Sequence, residues 1–166
     1  LKGLLEEREH QNTELKEAGD ALRVSEQKFR SVFESFQDLY FRCDIHGIIQ
    51  MVSPSVEHLA GYSVEELLGE SALETFVERN QRHTLMKALI KRGMVSNHEL
   101  RLLRKGGEVS VVSLNAQLLR DTAGQPSGVE GVMRDVTALK KQEADLHTLN
   151  AELEQAKSEE RLAKIE

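Results

Sequence analysis

The stretch "GVMRDVTALKKQE" at residues 131–143 decides the fold, because the spacing of its apolar residues changes partway along it. Residues 129–136 have the composition of a β-strand that ends at Val136. Beyond them, apolar side chains recur every seven residues, which is typical of one face of a helix. We therefore predict that the last strand of a sheet leads directly into a long helix over residues 137–166.

Three polar residues at this boundary can interact with one another and with the end of the helix. The hydroxyl of Thr137 can cap the helix, and Asp135 can form an ion pair with Lys140 across the turn. Such a pair would hold the angle at which the helix leaves the sheet. The alternative is an ordinary helix cap beside a solvated surface pair worth less than about 1 kcal/mol.

Upstream of the junction, apolar and polar residues alternate in four further segments, as they do in half-buried strands. Turns at His46-Gly47, at Gly106-Gly107 and at residues 121–128 follow the first, third and fourth of these segments, and a helix that stops at Gly93 lies between the second and third. Two strands, then helices, then three strands predict an α+β domain with an antiparallel sheet. The expected strands and helix cover residues 39–45, 49–51, 94–104, 108–119 and 129–136, and residues 78–92.

The two ends of the chain differ from its middle in composition. Residues 1–30 and 137–166 hold 25 of the 50 charged residues and only two of the 11 glycines, which favours long helices. We predict helical arms at 1–36 and 137–166 around a domain at 37–136. Both arms carry a heptad seam that indicates parallel self-association into a homodimer, with antiparallel pairing or packing against the domain as alternatives. The seam residues are Leu15, Leu22, Phe29, Val32 and Phe36 in the first arm, and Leu139, Leu146, Leu149 and Leu153 in the second.

Composition excludes several classes of protein. The net charge of −6 argues against a nucleic-acid partner, because phosphate binding is driven by cationic side chains. One cysteine cannot form an internal disulfide, so a reducing, cytoplasmic setting is expected. Nor can it supply a cysteine-rich metal site, so no bound metal is expected. No apolar run approaches the roughly 20 residues that span a bilayer. Because the chain does not begin with Met, we expect a fragment of a longer protein, whose anchor, if it has one, lies elsewhere.

Five segments in order resemble the PAS sensory domain over about residues 25–143. They are "SEQKFRSVFES" at 25–35, "DIHG" at 44–47, "SPSVEHLAGYSVEELLGES" at 53–71, "LRLLRKGGEVS" at 100–110 and "GVMRDVTALKKQE" at 131–143. The resemblance implies a five-stranded antiparallel sheet with helices on one face, enclosing a small cavity. It also implies regulation of a histidine kinase or a cyclic-dinucleotide enzyme through the flanking helices. Ser53 and Gly106 depart from the usual Asn and Asp of the pattern, which puts local hydrogen bonds in doubt but not the fold.

Strand parity and one face of the long helix suggest which residues line such a cavity. The candidates are Cys43, Met51, Met86, Ile90, His98, Leu100 and Ser113, with His98 as a hydrogen-bonding group for a carboxylate or carbonyl. The alternative is that the methionines fill the core and that His98 is satisfied by backbone or water.

Three features of the sequence bear on more specific chemistry. His83 lies close to where haem-binding PAS domains carry their proximal histidine, yet a histidine on a helix is more often a surface residue. Flavin photochemistry is not expected, because Ser71, Ala72 and Leu73 stand where the reactive cysteine would be. The sequence "HELR" at 98–101 resembles a phospho-acceptor box, but it lies on a predicted strand and lacks the Pro that should follow.

These observations and the resemblance predict a non-catalytic sensory and dimerisation module that binds a small ligand or cofactor. The identity of a cofactor is open: none is the favoured expectation, and haem is the alternative. In this hypothesis, a small ligand in the cavity alters the sheet, and the junction passes the change to an output domain. The alternative from a different class is a ligand-free structural spacer between other domains. An enzyme is the least favoured reading, since the sequence has no paired carboxylates, metal-spaced ligands or phosphate loop.

Overall fold

The computed structural model describes residues 1–165, which form two compact units. The first unit, residues 1–37, is essentially one helix, α1 (Lys2–Ser35). The second unit starts at Asp38 and contains the sheet and all other helices. Its elements in chain order are β1 (Leu39–Asp44), β2 (Ile49–Val52), α2 (Val56–Ala60), α3 (Val64–Leu67), a 3-10 helix (Ala72–Thr75), α4 (Arg79–Arg92), β3 (Met94–Leu103), β4 (Val109–Arg120), β5 (Pro126–Asp135) and α5 (Thr137–Ala163).

The five strands form one antiparallel sheet in the order β2-β1-β5-β4-β3, which confirms the predicted fold class. The last strand in the chain, β5, therefore lies in the centre between β1 and β4. Its Gly131 is required there, because a Cβ at this position would lie 2.4 Å from the carbonyl oxygen of Asn115 on β4. At this point the backbones of β5 and β4 leave no room for a side chain on the strand that continues into α5.

One face of the sheet is apolar and is covered by the helices between β2 and β3. Along β4, Val112, Leu114 and Ala116 alternate with exposed or half-buried residues, as the sequence predicted. Leu85 and Leu89 of α4 pack with them in the same core cluster. The end of α4 also agrees with the prediction, since Gly93 at φ 78° donates its N–H to the Leu89 carbonyl at 2.7 Å.

Ser53, which departs from the PAS pattern, is completely buried and fully hydrogen bonded. Its Oγ accepts the N–H of Tyr40 at 2.8 Å and lies 2.6 Å from the Oγ of Ser55. Ser55 in turn donates to the Asp38 carbonyl at 3.0 Å. The pair of hydroxyl groups therefore ties the end of β2 to the start of β1 without an Asn.

No helix within residues 1–165 combines the length and the mean hydropathy needed to cross a bilayer.

Candidate functional site

A cavity of about 110 Å³ lies between the inner face of the sheet and the helices packed on it. For comparison, an apolar protein cavity of roughly 150 Å³ accommodates benzene. The lining is largely apolar and comes from β1, β2, β3, β5 and every helix from α2 to α4. The lining residues are Leu39, Phe41, Cys43, Asp44, Ile45, Gly47, Ile49, Val56, Ala60, Leu67, Ala72, Leu73, Thr75, Phe76, Arg82, Leu85, Met86, Leu89, Leu102, Leu103, Val129 and Met133.

Three of the polar lining groups are already satisfied or neutral. One carboxylate oxygen of Asp44 accepts the N–H of His46 at 2.8 Å and that of Ile48 at 3.0 Å, which fixes the β1–β2 turn. The Thr75 hydroxyl donates to the Ala72 carbonyl at 2.6 Å. Burial raises the pKa of the Cys43 thiol to about 11, so the thiol is protonated at neutral pH and is a poor nucleophile.

Arg82 is the remaining polar group of the lining, and it lies at the start of α4. It shares one face of that helix with Leu85, Met86 and Leu89, because residues three, four and seven positions apart lie one above another. Its side chain is half-buried and has no ion pair or side-chain hydrogen bond to any other residue in the described range 1–165. Sequence reasoning missed Arg82, since an Arg among polar neighbours reads as a solvated residue.

Two of the predicted cavity residues, Cys43 and Met86, are indeed brought together in the lining. Leu100 and His98 lie on the same side of β3 as the lining residue Leu102, as the alternation predicted. They are farther from the cavity along the strand, with Leu100 fully buried in the core and His98 half-buried opposite Leu114. Neither of them lines the cavity.

The predictions for His98 and Leu100 were therefore wrong, and the other three predicted cavity residues do not line the cavity either. Met51 lies opposite Arg42 on the outer face, because the pairing of β1 with β2 shifts between Arg42 and Cys43. Ser113 lies on the outer face of β4, between the buried Val112 and Leu114. Ile90 is 59% exposed at the edge of the helix face that covers the cavity.

The residues present do not fit a haem or a reactive flavin site. His83 is exposed and does not line the cavity, so it is not placed to act as an axial ligand inside it. In residues 71–73, where the reactive cysteine of a flavin site would lie, Ser71 instead caps the 3-10 helix by accepting the N–H of Leu73 at 3.3 Å. Within residues 1–165, no group of three or more His, Cys, Asp or Glu side chains could hold a metal ion.

The boundary between β5 and α5 is held by the side chain of Thr137. Val136 donates its N–H to the carbonyl of Val111 on β4 at 2.9 Å. The N–H of Val111 then donates to the Thr137 hydroxyl oxygen, also at 2.9 Å. Thr137 therefore extends the β4–β5 hydrogen-bond ladder by one step, so that the first residue of α5 is bonded to the sheet.

The predicted partners within this junction need correction. Thr137 does not cap the helix through its own hydroxyl; it donates that hydroxyl to Asp135 at 2.6 Å, and Asp135 also accepts its N–H at 2.9 Å. Asp135 is thereby occupied, and Lys140 instead pairs with Glu99 of β3 and with Glu143. These two carboxylates raise the pKa of Lys140. The first turn of α5 is thus linked to β4 through Thr137 and to β3 through Lys140.

The predicted seam residues of both arms are exposed. In α1, Leu15, Leu22, Phe29 and Val32 are 55–72% exposed, and Phe36 follows the helix end at 42%. In α5, Leu139, Leu146, Leu149 and Leu153 are 50–60% exposed. No residue of either helix is buried in the described chain. Each helix therefore carries an apolar stripe that nothing in its own unit covers.

Comparisons with known proteins agree with this architecture. The family described as the PAS fold matches residues 27–136, a stretch that begins inside α1. The chain is 30% identical over 131 residues to the methyl sulfide methyltransferase-associated sensor of Methanosarcina acetivorans, covering 76% of this chain and 13% of that protein. The chain thus spans about an eighth of the length of this curated relative.

Two solved structures share the fold. The PAS domain of a Colwellia psychrerythraea protein matches with a TM-score of 0.61 and 23% identity, covering 68% of this chain and 97% of that one. A sensory box histidine kinase/response regulator from Burkholderia thailandensis E264 matches with the same TM-score and identity, covering 77% and 98%. Together with the family match over most of the chain, the central sheet and its covered cavity show that this chain belongs to the PAS family, as a PAS sensory domain preceded and followed in the sequence by a long helix.

Proposed function

We propose that this chain is the ligand-binding sensory module of a larger signalling protein, and that it acts without catalysing a reaction. The observation that carries the proposal is continuity: Val129 and Met133 line the cavity, and both belong to β5, the strand that leads directly into α5. A molecule that fills the cavity contacts β5, and the end of β5 leads directly into α5, which we call the exit helix. Binding and helix position are therefore coupled through one short, continuous element.

The coupling has an energetic limit. A ligand can shift the module between two states only by the difference between its affinities for those states. Such a difference in affinity arises in β5 if the filled and the empty cavity favour different positions of the Met133 side chain. The hydrogen bonds of Thr137 would transmit such a difference to α5, because they leave no flexible loop between strand and helix.

The proposed assembly is a homodimer formed through the two arms. Each arm has an exposed heptad stripe, and a second copy of the same chain offers a matching stripe for it to bury. The relative from Methanosarcina acetivorans is named a sensor, which supports a signalling role for the parent protein. We further propose that the output domain is a histidine kinase or a cyclic-dinucleotide enzyme, and that the module works in the cytoplasm.

The test of ligand binding is to close the cavity. Ala72 lines it, and Ala72→Leu adds an isopropyl group to that wall, whereas Ala123→Leu adds the same group in the exposed β4–β5 turn. In the wild type, xenon or a small apolar molecule should shift the NMR signals of the Leu85 and Met86 methyl groups and of the Thr137 amide. Ala72→Leu should abolish these shifts, and Ala123→Leu should retain them.

Each half of the proposal has its own contrary result. If the wild type shows no methyl shift, the cavity binds nothing and the chain is a ligand-free structural spacer. If the methyl groups respond but the Thr137 amide does not, binding is present and the relay through β5 is refuted.

A further inference from the structure

We infer that the cavity selects a small monocarboxylate, whose apolar tail fills the cavity and whose carboxylate is bound by Arg82. The inference rests on the proposed ligand-binding function and adds the chemical class of the ligand. It starts from a charged side chain that belongs to an otherwise apolar lining. Arg82 contributes to the wall of the cavity, although the surrounding wall residues are mostly aliphatic or aromatic.

The direction of the Arg82 side chain follows from its place on α4. It lies one turn before Leu85 and Met86 on the helix face that covers the cavity. Side chains in a helix lean towards the N-terminus of the helix, so Arg82 leans away from the deep residue Leu89. With this direction, the aliphatic stem would continue the apolar wall, and the guanidinium group would lie at the end of the cavity where α4 begins.

The charge of Arg82 is not compensated within the described residues 1–165. The nearest acidic residue in sequence, Glu78, pairs with Arg101 at 3.4 Å. Asp44 also lines the cavity, but its bound oxygen accepts two backbone N–H groups and it makes no ion pair with Arg82. A half-buried Arg side chain without an anionic partner favours a carboxylate, which can accept two parallel hydrogen bonds from the guanidinium group.

The same arrangement limits the ligand to one carboxylate and a short tail. A second carboxylate would find no further cation in the lining and would meet the negative charge of Asp44. The volume of about 110 Å³ is smaller than a benzene-binding cavity of roughly 150 Å³, so a branched tail of about four carbon atoms suits it. The first turn of α4 contains no acidic residue and adds the positive end of its helix dipole.

The test compares three small molecules that carry the apolar tail, the carboxylate, or both parts of the proposed ligand. The acid 3-methylbutanoate has both the tail and the charge, 3-methylbutan-1-ol has the tail alone, and acetate has the charge with almost no tail. Each is titrated into the full chain while the methyl signals of Leu85 and Met86 are followed by NMR. Wild-type protein should bind the acid at least about tenfold more tightly than the alcohol or acetate, as expected for a hydrogen-bonded charge.

Variants then assign the effect to Arg82. Arg82→Gln should weaken binding of the acid about tenfold or more and change binding of the alcohol less than about twofold. Arg82→Lys keeps the charge without the planar fork and should fall between the two. Arg79→Gln, on the same turn but exposed and outside the lining, is the matched control and should bind the acid as the wild type does.

Contrary outcomes separate this inference from the proposed function. Equal affinity for acid and alcohol, or an Arg82→Gln variant within about twofold of the wild type for the acid, overturns the role of Arg82 while leaving a ligand-binding cavity. If xenon shifts the methyl signals and the acid does not, the carboxylate class is wrong. If neither shifts them, the ligand-binding proposal fails together with this inference.

Discussion

Replacing Thr137 with Val tests the connection between the sheet and the exit helix. The two side chains have nearly the same shape, and Val has a helix propensity close to that of Thr, so the change removes the hydroxyl and little else. Three contacts of the hydroxyl are lost: the hydrogen bond from the Val111 N–H at 2.9 Å, the one to Asp135 at 2.6 Å, and a longer one to the Val111 carbonyl at 3.4 Å. The Val111 N–H, at the end of the β4–β5 ladder, then has no acceptor in the fold.

The expected cost can be estimated from these contacts. An unsatisfied, buried backbone donor costs about 1–3 kcal/mol. Val111 is half-buried, so water can reach its N–H in part, and we expect a loss of about 1–2 kcal/mol in the free energy of unfolding. Since about 1.4 kcal/mol corresponds to a factor of ten, hydrogen exchange at the Val111 amide should become roughly tenfold faster.

Urea unfolding measured by circular dichroism gives the free energy, and NMR gives the exchange rate. Thr148→Val is a matched control, because the Thr148 hydroxyl only donates back to the Ala144 carbonyl on the exposed surface of α5. It should change stability by less than about 0.5 kcal/mol. Thr137→Ser retains the hydroxyl and should keep Val111 protected. If Thr137→Val and Thr148→Val behave alike in both measurements, the side chain does not hold the junction.

Two further predictions concern the buried thiol and the arms. Burial raises the pKa of the Cys43 thiol from 9.0 to about 11, so the unfolded chain loses the thiol proton at a lower pH than the folded chain does. Between about pH 9 and 11, the free energy of unfolding of the wild type should therefore fall by up to about 1.4 kcal/mol per pH unit relative to that of Cys43→Ala. If urea unfolding gives the same pH dependence for both proteins, this prediction is contradicted. In the second arm, Leu146→Glu places a charge on the seam of α5 and should raise the dissociation constant of the dimer at least about tenfold, as measured by sedimentation equilibrium. The control is Ala151→Glu, on the opposite side of the heptad, which should leave the dissociation constant nearly unchanged. A wild-type chain that sediments as a monomer would rule out the homodimer.

The sequence was sufficient for the order and type of the major elements because their signals are local. Alternation in residues 108–119 reflects the pleat of β4, and Gly93 stops α4 because its N–H can close the last turn with φ at 78°. The heptad spacing in both arms likewise predicted helices that the structure contains. Such signals depend on neighbours a few residues away and can be read without knowing the rest of the fold.

The site was less predictable because it depends on contacts between distant residues. One partner of Lys140, Glu99, lies on a strand 41 positions earlier, and spacing near Lys140 gives no indication of it. Met51 was assigned to the wrong face because the pairing of β1 and β2 shifts by one residue within a short strand pair. For Arg82 a local signal did exist, since Leu85, Met86 and Leu89 repeat on its helix face, but its charge concealed the pattern.

The absence of a loop between β5 and α5 has a mechanical consequence. Asp135 ends the strand and Thr137 begins the helix, so a single residue separates them. The helix has 27 residues, and at 1.5 Å per residue it extends about 40 Å from that point. A tilt of about 5° at its base would move its far end by about 3.5 Å. The helix α5 thus acts as a lever that turns about Thr137, and a displacement too small to disturb the core can become a shift of several ångströms at the far end of the helix.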